Sequence, residues 1–276
     1  WILSRLNQIV KTMTKDLAEF DFNSACKSIY DFVWNEFCNW YLESAKPALS
    51  EPAGTTCATL RIFDYCLGTF LKLLHPIMPF VTDELYHQMG FCGEGDSIMV
   101  QPWPAPIPEA RVEELGATKT VEELNAAKYE LVRAVRNLRA NYQISTSLPL
   151  DVVIAPASQD AREFLALDHD ALAALLNAKS LVLGSKPEGP AGVAVSSIGN
   201  AFVPLEGLVD FAAETKRLQK QEEEAVRYIA TLEKKLSNKG YVEHAPAAAV
   251  EADRTHLAET TDKLERIRQQ LKDLGA

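Results

Sequence analysis

The chain has no uninterrupted apolar run long enough to cross a membrane, which takes about 20 apolar residues in a row. It shows no cleavable leader pattern either, so a cytoplasmic setting without membrane attachment is expected. Its five cysteines, Cys26, Cys38, Cys57, Cys66 and Cys92, are odd in number and include no C-x-x-C pair. Neither a disulfide framework nor a zinc knuckle fits that spacing. The five histidines, at 75, 87, 169, 244 and 256, share no ligand spacing with cysteine or acid, which argues against a metal site. A basic excess is missing as well: 28 lysines and arginines stand against 38 acids, a net charge of −10. Nucleic-acid binders usually carry a basic surface. Any contact with a polyanion must therefore come from local basic stripes.

What the chain does have is helical periodicity. In residues 20–46, FDFNSACKSIYDFVWNEFCNWYLESAK, apolar side chains fall at Phe22, Cys26, Ile29, Val33, Phe37 and Trp40. That three-and-four spacing marks a buried helix face. Asp21 or Asn23 can cap the start, and Lys46-Pro47 is expected to end it, because the residue before a proline avoids helical dihedrals. Similar stripes predict helices over 2–20, 57–74, 82–90 and 121–142. Their apolar faces must pack together, giving an antiparallel bundle. Thr82, followed by Asp83 and Glu84, is expected to cap the 82–90 helix. The Gly- and Pro-rich stretch FCGEGDSIMVQPWPAPIP reads as an extended connection over the bundle, anchored by Met99, Val100 and Trp103.

Beyond residue 147 the period changes. Residues 151–155, 181–184, 193–197 and 201–205 are short, β-branched and flanked by Gly or Pro, as strands are. Residues 161–167 and 170–178 look helical, so a small α+β unit is expected. The last part carries heptads. Phe211, Leu218, Ala225 and Leu232 recur every seven residues, with Leu208, Thr215, Glu222, Ile229 and Leu236 on the alternate seam. Val250, Leu257, Leu264 and Leu271 do the same later, with Ile267 and Leu274 on the partner seam. Sustained heptads predict coiled-coil pairing, and the break at 237–246, with Asn238, Gly240 and Pro246, can reverse the chain. At about 1.5 Å rise per residue the first of these helices would project roughly 40 Å. The expected fold is mainly α: a helical bundle over 1–146, an α+β connector over 147–207 and an antiparallel coiled-coil hairpin over 208–276.

The order of large residues in the 20–46 helix carries more than periodicity. Tyr30, Trp34, Glu36, Phe37, Cys38, Trp40, Tyr41, Glu43, Ala45 and Lys46 resemble the YDFVWDEFCDWYLELAK segment of the valyl-tRNA synthetase family, in the anticodon-binding helical domain after its catalytic core. Asn39 stands where that family usually has an acid. HPIMPFVTDELYHQM, residues 75–89, resembles the family's HPFMPFITEELWQ turn, and residues 209–257 resemble its C-terminal arm with the KLSN and AP tip. The resemblance implies the C-terminal part of a class I ligase that uses ATP and Mg to charge tRNA with valine. Its partners would be tRNA(Val) and the remainder of the synthetase chain, and a monomer is expected. No H-x-G-H motif of the family's adenylation site is present, so no catalytic residue and no cofactor are expected here. Lys235-Leu236-Ser237-Asn238-Lys239 mimics the lysine-serine loop of class I synthetases, but no nucleotide-binding sheet precedes it, and turn chemistry is the better reading. In the family a further helix precedes the segment resembling residues 1–6, so part of the anticodon pocket is expected to lie outside this chain. Two rivals stand beside this: an isoleucyl or leucyl relative, and a coiled-coil module for protein association whose heptads pair between chains.

Candidate contacts follow. Lys128, Arg133, Arg136, Asn137, Arg139 and Asn141 share one predicted helix, resembling the family's AIRNLRAEY segment. Arginine and asparagine can bond phosphates and read splayed-out bases, and Arg5, Asn7 and Lys11 on the first helix are alternatives. The competing account is that Leu131, Val132, Val135 and Leu138 form a core face and the arginines are its solvated flank. Trp34, Trp40 and Tyr41 could stack on bases, but their spacing favours a core. On the arm Lys216, Arg217, Lys220, Arg227, Lys234, Lys235 and Lys239 suit phosphate contacts that position without specifying.

Overall fold

The computed structural model describes residues 1–50, 55–244 and 246–273. The chain forms two compact units, Trp1–Arg133 with Ala157–Ala178 and Ser196–Ile198, and Ala134–Pro156 with Lys179–Val195 and Gly199–Ala276.

In the first unit α1 (Ile2–Ala18) runs against α2 (Phe22–Tyr30), which begins at Asp21, whose side chain accepts from Ser24 N–H. α2 continues without a break through a π-helical stretch, Asp31–Leu42, into α3 (Glu43–Ser50). The core stripe along this long helix is Ala25, Ile29, Phe32, Phe37, Trp40 and Ala45. Two of its steps are five residues, the i→i+5 spacing of a π-turn. The constant 3.6-residue stripe expected from the sequence is displaced as a result: Phe22 and Cys26 face solvent, and Ala25 and Phe32 point inward instead. Pro47 lies inside the helix rather than after its end. It removes one backbone donor, but the packing of α3 against α9 and α4 holds the helix through it, and Ser50 Oγ donates to Lys46 O at 3.0 Å.

α4 (Thr55–Leu74) and α5 (Pro79–Gln88) complete this bundle. α5 starts three residues before the expected cap. Pro79 takes the first turn, where a missing N–H costs nothing, and Thr82 is buried within the helix, its hydroxyl donating to Met78 O at 2.8 Å beside His75 Nδ1. Residues 91–108 cross the bundle as expected but with different anchors. A single 3₁₀ turn, Ile98–Val100, turns Ile98 inward and leaves Met99 73% and Val100 76% exposed. Trp103 holds on through Nε1, which donates to Thr14 Oγ1 at 2.8 Å. α6 (Glu109–Glu114), not expected from the sequence, precedes α7 (Lys119–Asn141). α8 (Gln159–Leu167), capped by Ser158, and α9 (His169–Leu176), closed by Asn177 in the left-handed region, also belong here. Leu6, Met13, Phe32, Leu73, Leu131 and Leu172 are among the fully enclosed side chains. Of the described cysteines, Cys26, Cys38, Cys66 and Cys92 are free thiols; the side chain of Cys57 lies outside the described residues.

The second unit holds a four-stranded sheet of β1 (Leu150–Pro156), β2 (Ala178–Leu183), β3 (Ala191–Ser196) and β4 (Gly199–Pro204), in the order β2-β1-β4-β3. β1 and β4 are antiparallel, Val153 opposite Phe202 and Ile154 opposite Ala201. The last turns of α7 pack on β3 through Leu138, and only the missing side chain of Gly192 permits it: a Cβ there would lie 2.8 Å from Leu138 Cδ1. α10 (Phe211–Ser237) and α12 (Ala247–Asp273) pair as the expected hairpin. Leu218, Ala225 and Leu232 are buried against Val250, Leu264, Ile267 and Leu271. The reversal between them is not a simple loop but contains a short helix, α11 (Lys239–His244). The Phe211 side chain and Leu274, both assigned to the seams, lie outside the described residues.

Candidate nucleic-acid interface

On the first unit two of the expected contacts, Arg5 and Arg133, line one cleft of about 440 Å³. α1 contributes Trp1 and Arg5, the π-stretch contributes Asp31, Glu36 and Trp40, and α7 contributes Glu122, Tyr129, Glu130 and Arg133. Trp40 stacks on Tyr129 with ring centroids 4.2 Å apart, Trp1 meets Tyr129 edge-on at 5.1 Å, and the Arg133 guanidinium lies 5.1 Å over Trp40. Arg5 is clamped by both oxygens of Glu36, at 2.6 and 2.7 Å, and this hydrogen bonding raises its pKa. A guanidinium held in a fork by a carboxylate has its charge already answered. With Asp31, Glu36, Glu122 and Glu130 in the lining against two arginines, this cleft repels rather than gathers phosphates.

Two other candidates on these helices lie inside the protein. Asn7 is buried and bonded in both directions to Ile107, accepting its N–H at 2.7 Å and donating to its carbonyl at 3.3 Å. It pins the crossing strap to α1. Arg139 is 3% exposed and donates to the carbonyls of Ser145 (3.1 Å) and Leu148 (2.7 Å), which closes the turn after α7. Burial lowers its pKa. Lys128 is enclosed too, its ammonium 2.5 Å from Asp168 and over the rings of Tyr129 and Phe164. Lys11, Arg133, Arg136 and Asn137 remain at the surface. Trp34 is 57% exposed, unlike Trp40, because the π-stretch rotates it away from the core.

On the arm the bases divide into paired and unpaired. Arg217 is forked onto Glu214, with Nε at 2.8 Å, and this raises its pKa. Arg227 lies 3.9 Å from Glu223. Lys235 belongs to a network at the hairpin tip: its ammonium is 2.7 Å from Asp253, Tyr241 Oη donates to the same Asp253 oxygen at 2.6 Å, and Lys235 lies 4.7 Å over the Tyr241 ring. Asn238 Oδ1 accepts the N–H of Gly240 and caps α11, so the Lys-Leu-Ser-Asn-Lys stretch is built as turn chemistry. Lys216, Lys220 and Lys234 are exposed and have no ion pair among the described residues. The Lys239 side chain lies outside the described residues. Sequence reading missed the acids facing Arg5 and Arg133. Glu36 was visible in the quoted helix, but no local rule places it opposite a residue 31 positions away.

Known proteins define the class to which this architecture belongs. Residues 1–154 match the family described as the anticodon-binding domain of tRNA ligase, and the chain belongs to that family. Residues 210–275 match the family described as the valyl tRNA synthetase tRNA binding arm. The chain is 33% identical over 277 residues to the valine–tRNA ligase of Geobacillus stearothermophilus, covering 99% of this chain and 31% of that protein. It is 34% identical to the valine–tRNA ligases of Enterococcus faecalis (99% and 31%) and Lactiplantibacillus plantarum (100% and 30%). The chain thus spans about a third of the length of these curated relatives.

Proposed function

We propose that this chain recognises tRNA(Val) on behalf of a valine–tRNA ligase whose remainder binds ATP and Mg and forms the aminoacyl bond. The observation that carries the reading is the order of two tRNA-binding matches on one chain, the anticodon-binding domain at 1–154 and the arm at 210–275. The working division is a bundle over 1–146, a connector over 147–207 and an arm over 208–276, in a cytoplasmic monomer. The bundle reads the anticodon loop and the arm braces the body of the tRNA. Exposure outside the acidic cleft favours Lys11, Arg136 and Asn137 as the direct contacts on the bundle side, and Arg133, in the lining of that cleft, is the weaker candidate. Asn7 and Arg139 support their helices from within, and Arg5 is held by Glu36. On the arm the free ammonium groups of Lys216, Lys220 and Lys234 supply phosphate contacts, with Arg227 beside them.

Binding of the chain to tRNA(Val), tRNA(Ile) and an anticodon-swapped tRNA(Val), titrated across salt, tests this. tRNA(Val) should bind best and the swap should remove the preference. Lys11 and the three unpaired arm lysines predict a log–log salt slope of about −3. Equal affinity for all three RNAs would refute anticodon reading. A stable dimer by light scattering, without RNA binding, would favour the association module.

A further inference from the structure

The second unit contains a cleft of about 640 Å³ that none of the family matches describes, within the range of about 300–1,000 Å³ usual for small-ligand sites. One wall is the last turns of α7, with Asn137 and Asn141; the other is the C-terminal part of α12, with Arg266, Gln269 and Gln270; the floor is β3 around Val195. Asn137 and Asn141 are four residues apart on α7, and Arg266 and Gln270 are four apart on α12, so each pair projects from one helix face. The side chains of Asn137, Asn141, Arg266 and Gln270 have no partner among the described residues. Val195 is 67% exposed and gives the floor an apolar surface.

We propose that this cleft holds one nucleotide of single-stranded RNA, its base edge on the Asn137, Asn141 and Gln270 amides and its phosphate on Arg266. The inference rests on the tRNA reading above and adds the ligand and the residues. Each amide offers two donors and an acceptor, the mixed pattern that an unpaired base presents on its edges. A guanidinium matches phosphate with a fork of parallel donors. The charge balance is the opposite of that in the first-unit cleft. There two arginines sit among four carboxylates, whereas this lining contains an arginine and no acid among the described residues. A polyanion therefore enters here without the repulsion it meets there. β3 is an edge strand of the sheet, which makes an extended peptide the rival occupant. The unanswered guanidinium favours RNA, because a peptide backbone carries no charge for it.

The test is a titration of the ¹⁵N-labelled chain, followed through the side-chain amide signals of Asn137, Asn141 and Gln270. The probes are a random-sequence single-stranded heptaribonucleotide and an uncharged heptapeptide. The RNA should shift the three signals saturably and the peptide should not. Asn137→Asp and Arg266→Ala, both surface changes checked for folding by circular dichroism, should each weaken the heptaribonucleotide about tenfold. Lys216→Ala with Lys220→Ala should leave the amide shifts in place. Unmoved amides, or amides moved by the peptide alone, overturn the proposal. Intact tRNA(Val) that binds the Arg266→Ala chain as tightly as the parent overturns the cleft and spares the tRNA reading. Amide shifts retained with no preference for tRNA(Val) overturn the tRNA(Val) reading and spare the cleft.

Discussion

Replacing Asp168 with asparagine should destabilise the first unit far more than replacing Lys128 with methionine. The asymmetry comes from where the two charges sit. The Lys128 side chain is 4% exposed and the Asp168 carboxylate 32%, with 2.5 Å between them. Asp168→Asn keeps the shape but leaves an ammonium buried without a counter-charge, which costs about 3 kcal/mol. Lys128→Met keeps an unbranched apolar chain against Tyr129 and Phe164, and the carboxylate left behind can hydrate, so the loss is about 1 kcal/mol. The double variant should match Lys128→Met alone, a coupling of about 2–3 kcal/mol. Urea unfolding of the four chains, followed by circular dichroism, measures the cycle. pH supplies a second readout. Burial lowers the Lys128 pKa despite Asp168. Between the lowered folded value and the ordinary one the unfolded chain binds more protons, so stability rises with pH through that window. Removing Asp168 lowers the folded value further and widens the window. The Asp168→Asn chain should therefore regain part of its loss on the alkaline side, and Lys128→Met should not. Coupling below about 0.5 kcal/mol, or a loss in Asp168→Asn that is flat with pH, would refute the reasoning.

Gly199→Ala should cost at least about 3 kcal/mol. Its φ is +150°, and a Cβ would stand 2.4 Å from Ala155 O and 2.9 Å from Pro156 Cα, both backbone atoms that cannot yield; thermal melting reads the loss. Arg139→Met should cost about 2–4 kcal/mol by orphaning the carbonyls of Ser145 and Leu148, with the same assay, and an unchanged melting temperature would contradict its placement. The loop at 91–98 should be held best at intermediate pH. His87 donates from Nδ1 to Asp83 O (2.9 Å) and from Nε2 to Asp96 O (2.8 Å), which needs both nitrogens protonated, and these carbonyls raise its pKa from 6.5. That contribution is complete below 6.5 and fades as pH rises through the raised value. Asp83, lowered from 3.8 by the Ile98 N–H and the Ser97 hydroxyl, contributes above 3.8 and is lost as pH falls through its lower value. Protection of the Ile98 amide from exchange, relative to its unstructured rate at each pH, should be greatest between the two limits, and protection that rises steadily into alkali would contradict the His87 clip.

What could be read from sequence is what repeats. The arm was legible because Leu218, Ala225 and Leu232 keep one period over their whole helix, and their burial follows it. The 20–46 helix was legible as a helix but not in its facing, since one constant period cannot place a π-stretch at Asp31–Leu42. Pro47 does not end its helix as the local rule expects, because packing on α4 and α9 outweighs one missing donor. The charged residues were the least legible, for a geometric reason. Sequence spacing exposes partners three or four residues apart, such as Arg217 with Glu214. The pairings that decide which bases stay free reach across the fold: Arg5 to Glu36, Lys128 to Asp168, Arg268 to Glu222. Arg5 and Lys128 read as candidate RNA contacts in the sequence and are answered internally. The net charge of −10 therefore says little about affinity for RNA. Several of the acids that produce it face the chain's own arginines and lysines, and the unpaired Lys216, Lys220 and Lys234 lie along a rod whose first helix alone is 27 residues long. A polyanion meets that local surface at Debye-length range, about 8 Å at physiological salt, and is screened from the carboxylates beyond it.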